Sequence, residues 1–157
     1  MALKADRVIL EEDITMTCPT AASRGVVLCH STSGSGVAIG DSAGAADLYA
    51  SASGNKPVGI LMCDVVSVDL TRYHINFHKD EVPVGNRVHL LKKGTVTTDK
   101  VTGTPAYNDT AYLTANGVLT PTLSTTGGLV ATPKVGQFKG ILDENGFVKV
   151  DINLPQI

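Results

Sequence analysis

The chain reads as an all-β protein, a small barrel or sandwich, and three observations carry that reading. Val and Thr are the most frequent of its larger residues, and both are stiff, β-branched side chains that suit a pleated surface. No window of helical length repeats its apolar positions at the helical period of about 3.6 residues. Short apolar runs instead alternate with turn formers, and the 157 residues include 16 Gly and 7 Pro. That length suits a single domain around one core, or two very small ones.

Taken in order, residues 1–17 mix apolar and charged character up to Cys18-Pro19. They are expected to form an N-terminal arm or an edge strand, with extended structure at 7–10, ahead of a single β domain over 18–157. Val26-Val27-Leu28-Cys29-His30 is a strand-like apolar run. Residues 31–55 are rich in Gly, Ala and Ser, with Asp41 and Asp47 as the only charges. This stretch reads as a long excursion with little core of its own and one weak helical turn at 43–49. Strands are expected at 58–68, 73–78, 87–91, 96–98 and 111–114, with Lys92-Lys93-Gly94 turning one strand into the next. Asn116-Gly117 supplies a turn after which Val118 resumes extended structure. Residues 134–142 and 147–152 form a last hairpin with Asn145-Gly146 at its tip, where positive φ costs little. In its second arm Phe147, Lys149 and Asp151 share one face, and Val148, Val150 and Ile152 the other.

Composition narrows the function classes. Hydrophobic residues make up 43% and charged residues 18%, which argues against intrinsic disorder. A net charge of −2 with scattered basic residues gives no electrostatic footprint for nucleic acid. No stretch approaches the ~18 consecutive apolar residues of a membrane span. Lys4, Asp6 and Arg7 stand where the apolar core of a secretory leader would lie. Cys18, Cys29 and Cys63 are odd in number and form no CxxC pair, so reduced, buried thiols are expected rather than a disulfide framework or a zinc site. With aromatic residues at 4% and no Trp, few rings are available to stack on sugars or bases.

Two constellations invite a catalytic or metal reading. Gly40-Asp41-Ser42-Ala43-Gly44 satisfies the G-x-S-x-G pattern of a nucleophilic serine, which in hydrolases sits on a strand-to-helix elbow. The chain shows no alternation of strands and helices, and Ser33-Gly34-Ser35-Gly36 shows how common small residues are in this stretch, so a loop is expected. His74, His78 and His89 surround Glu81, but on a strand His74 and His78 lie about 13 Å apart at ~3.3 Å per residue. One ion with Zn–N bonds of ~2.1 Å cannot bridge that gap. No Gly-Lys-Ser/Thr follows the glycine-rich stretch, so no phosphate loop is expected. Neither a cofactor nor a catalytic residue is assigned.

From Lys56 onward the chain resembles a family of small head proteins of tailed bacteriophages, the capsid decoration, auxiliary or cement proteins. The residues carrying the resemblance begin with Lys56-Pro57-Val58-Gly59-Ile60-Leu61-Met62, Asp64-Val65, Asp69-Leu70-Thr71-Arg72 and His74-Ile75-Asn76-Phe77-His78-Lys79. Gly85, Val88, Leu90-Leu91-Lys92-Lys93-Gly94, Thr110-Ala111-Tyr112-Leu113 and Asn116-Gly117 continue it. It closes with Val135-Gly136-Gln137-Phe138, Asp143-Glu144-Asn145-Gly146 and Val148-Lys149-Val150-Asp151-Ile152-Asn153-Leu154-Pro155. The order and spacing of these pieces, over about two-thirds of the chain, are more specific than any one of them.

The resemblance implies a non-enzymatic β domain, made in the bacterial host cytoplasm and mounted on the outer surface of the virion capsid. It implies a homotrimer bound to the major capsid protein at or near three-fold positions, with neither nucleic acid nor membrane as partner. The candidate contact is the N-terminal arm: Leu3, Lys4, Arg7, Val8, Ile9 and Leu10, the apolar residues as an added strand or anchor and Lys4 and Arg7 as partners of acidic groups. The competing expectation is that 7–10 is an edge strand of the domain itself. Two other function classes stand beside this one, a trimeric receptor- or glycan-binding module and a small hydrolase built on Ser42.

Overall fold

The computed structural model describes residues 2–31, 44–49, 56–64, 81–82, 84–123 and 133–155. In chain order its strands are β1 (Val8–Asp13), β2 (Ala22–Ser23), β3 (Val27–His30), β4 (Ala46–Leu48), β5 (Pro57–Asp64), β6 (Glu81–Val82), β7 (Val88–Thr98), β8 (Thr110–Leu113), β9 (Leu119–Thr120), β10 (Lys134–Phe138) and β11 (Val148–Asn153). A 3-10 turn at Ala115–Gly117 joins β8 to β9, and the described residues contain no α-helix. The protein is all-β, as the sequence predicts.

One curled antiparallel sheet runs β4-β3-β5-β7-β11-β10-β8-β9, and β2 pairs with β6 apart from it. The eleven residues of β7 are its hub. Leu90 and Leu91 face β5 on one edge and β1 on the other, while Thr95 and Gly94 face β11 and β1. Strands β5 and β11 therefore follow one another along the same edge of β7, and among the described strands β1 takes the opposite edge. Leu154 N donates to Lys92 O at 2.9 Å and fills the junction between them. At the far end of the sheet Leu119 bridges Val101, just beyond β7, so strands β7 to β9 curl back on themselves.

Over β3, β5 and the start of β7 both faces of the sheet are covered. One apolar cluster packs Val27, Ile60, Met62, Leu91, Val96, Leu113, Leu119, Phe138 and the inward row Val148, Val150 and Ile152. The other packs Cys18, Val26, Leu28, Val58, Leu61, Val82, Val88 and Leu90. The unbroken runs at 26–29 and 60–62 follow from this, because a strand buried on both faces has no need to alternate. In β11 only one face is buried, and there the expected alternation is present.

The structure corrects several local expectations. No turn occurs at Lys92-Lys93-Gly94; the two strands expected at 87–91 and 96–98 are the single strand β7. Gly94, at φ +142, is tolerated inside that strand because the Val8 carbonyl occupies the space of a Cβ. The helical turn expected at 43–49 is instead strand β4, held by β3, and Ala45, Ala46 and Tyr49 of this excursion are buried in the domain. The strand expected over 134–142 stops at Phe138, and a loop carries the chain to the 143–147 turn. There Asp143 Oδ1 accepts from the backbone N–H of Asn145 and Phe147, and Gly146 alone takes positive φ. The strands expected at 65–68 and 73–78 lie outside the described residues.

Candidate functional site

Strand β1 is an edge strand of the sheet, as β4 and β9 are at its two ends. It pairs with β7 along one edge, and among the described residues nothing pairs with the other. Its register is broken twice, between Ile9 and Glu11 and between Glu11 and Glu12. Leu10 is left opposite no residue of β7, as the extra residue of a bulge, a device that re-aims a side chain. It is 74% exposed, beside Val8 at 50%, Ile9 at 40% and, just past the strand, Ile14 at 48%. Four large apolar side chains within seven residues thus face solvent along an edge that no described strand pairs. The strand ends where Asp13 Oδ1 accepts from both the N–H and the Oγ1 of Thr15, at 2.8 and 2.6 Å.

The charged side chains around this edge turn inward. Glu11 meets Lys93 at 3.1 Å, Asp13 meets Lys92 at 3.2 Å, and Glu12 meets the Nε2 of His89 at 2.6 Å. Asp6 meets Lys149 of β11 at 3.2 Å. Lys4 pairs with Asp143 while its Nζ lies 4.6 Å from the centre of the Phe147 ring. Since β11 flanks β7 on the edge away from β1, residues 4–6 reach across β7 to make these contacts. Burial pushes the Asp13 carboxyl up, but the hydrogen bonds from Thr15 and the neighbouring Lys92 outweigh it and hold the group below its ordinary range. The hydrogen bond from Lys4, with a further one from the Phe147 N–H, holds Asp143 below it too.

The sequence-predicted candidates therefore separate. Leu3 is 4% exposed, bridges Thr98 and belongs to the core. Lys4 is engaged with Asp143. Arg7, Val8, Ile9 and Leu10 are the outward set. Ile14 was missed, as were the partners of the acidic side chains on the body, Lys92, Lys93, His89 and Lys149. Their signal lay in the acidic run Glu11-Glu12-Asp13 and its complement, the Lys92-Lys93 doublet. Of the motifs weighed for chemistry, Ser42, His74 and His78 lie outside the described residues. Cys18 and Cys29 are free, buried thiols. No protein-family model and no curated protein matches the chain.

Proposed function

We propose that this chain is a non-enzymatic structural protein that attaches to the outside of an assembled phage capsid and stabilises contacts between capsomers, with β1 as its docking element. The observation that carries the proposal is the one-sided, apolar edge strand with its bulged Leu10. An extended segment of the major capsid protein fits such an edge, because its backbone completes the ladder while Val8, Ile9, Leu10 and Ile14 lose their remaining contact with water.

Magnitudes favour attachment as a multimer. Val8, Ile9 and Ile14 are already about half-covered and Leu10 less so, so completing their burial contributes about 1 kcal/mol each, roughly 4 kcal/mol per copy. Association costs about 4–15 kcal/mol in lost freedom, so one copy binds weakly at best. A homotrimer presenting three such edges converts the second and third contacts into intramolecular ones, a gain on the order of 10²–10⁴ in affinity. The test is light scattering of the purified chain, followed by co-sedimentation with undecorated heads. A trimer that pellets at a saturating, lattice-like stoichiometry is the expected result. A monomer left in the supernatant overturns the proposal.

A further inference from the structure

We propose that the paired side chains of residues 4–13, namely Lys4, Asp6, Glu11, Glu12 and Asp13, act as an intramolecular latch that seats β1 on β7, and that they make no contact with the docking partner. The inference rests on the docking role proposed for β1 and assigns positioning roles to Lys92, Lys93, His89, Lys149 and Asp143. Three observations carry it.

Every acidic side chain of residues 4–13, namely Asp6, Glu11, Glu12 and Asp13, is matched by a lysine or histidine of β7 or β11, and Lys4 is matched by Asp143. Only Arg7 of the charged residues in this segment lacks an ion pair among the described residues. Apolar burial, the usual fastening of a strand, is reduced in β1: none of its six residues is fully buried, five being exposed and the sixth half-buried. The backbone ladder that remains is interrupted by two register shifts. The seat of β1 thus depends on the ion pairs to an extent that no other strand of the main sheet shares.

This arrangement has an unusual consequence for attachment. Salt screens exposed ion pairs, with a Debye length of about 10 Å at 0.1 M and 3 Å at 1 M, but does not weaken an apolar contact. Attachment through Val8, Ile9 and Leu10 therefore becomes salt-sensitive even though none of the latch charges crosses the interface. Salt unseats the strand, and binding then bears the added cost of ordering it again.

Hydrogen exchange on the full chain at ~0.05 M and ~1 M sodium chloride reads the latch directly. Exposed pairs contribute modestly one by one, so the four lysine pairs together predict a loss of protection of about tenfold over residues 2–14 and 88–99 in high salt, with residues 108–123 unchanged. At low salt, Glu11→Lys and Lys93→Glu each open the same segments, and the double exchange restores protection. Equal protection at both salt levels, or a double variant no better than the singles, overturns the latch. Sedimentation with heads supplies a separate readout. Single reversals that open β1 yet bind heads like the wild type overturn its positioning role. A wild type that never binds heads overturns the docking reading and leaves the exchange result to judge the latch.

Discussion

Asn116-Gly117 and Asn145-Gly146 are the same dipeptide at two turns, yet their glycines meet different surroundings. Gly117, at φ +76, faces the carbonyl of Val27, with Val26 Cβ 3.0 Å from where its own Cβ would stand. Gly146, at φ +79, has nothing within 4 Å. Both positions disfavour an L side chain by about 1–2 kcal/mol, but only the first adds a collision with the backbone of β3. Gly117→Ala is expected to cost about 3 kcal/mol or more and Gly146→Ala about 1 kcal/mol, read as midpoints of urea unfolding. A second expectation concerns the buried thiols. Burial pushes Cys29 up to about 12 from an ordinary value of 9.0, and it raises Cys18 and Tyr49 as well. Above pH ~9 the unfolded thiol releases a proton that the folded one keeps, so stability is complete below that pH and declines as pH rises toward 12. The melting temperature should fall steadily across this window, and Cys29→Ala should flatten the slope. Both Asn-Gly turns were legible in the sequence. The difference between them was not, because it lies in a neighbour, Val27, about ninety residues away in the chain.

Among the elements, β1 and β7 show where sequence reading stops. The segment before Thr17 could be read as either a free arm or an edge strand, since what decides between them is its pairing with residues 90–95, far along the chain. Lys92-Lys93-Gly94 resembles a turn by composition, yet β7 runs straight through it. Partners on both edges fix the strand, the lysines turn to Asp13 and Glu11, and the glycine makes room for the Val8 carbonyl. The hairpin strand at 148–153 was legible because a single buried face imposes a period of two. For β1 the informative perturbation is a point change rather than removal of the segment. Deleting residues 1–12 takes Leu3 out of the core and strips one edge of β7 along with the docking residues. Leu10→Asp leaves both in place. Its stability should stay within about 0.5 kcal/mol of wild type, as for an exposed site, while head binding in the sedimentation assay falls at least tenfold. Unchanged binding would remove Leu10 from the contact.

At the scale of the whole molecule, the fold class was readable from composition and patterning, and the strand order was not. The order depends on which strands share β7, and three partners from residues 8–13, 57–64 and 148–153 do so. Their pairings span tens of residues each, and local sequence carries no record of them. That same order bears on how the protein is made. Strand β11 is the last described strand along the chain, yet it stands near the middle of the sheet, between β7 and β10. On the ribosome, strands β3, β4, β5 and β7 can assemble as they emerge, while β8, β9 and β10 wait beside a gap that only residues 148–153 can close. The half-built sheet keeps Val96 and Phe138 uncovered until residues 148–153 have emerged, and a chain truncated before residue 148 has no way to complete this core.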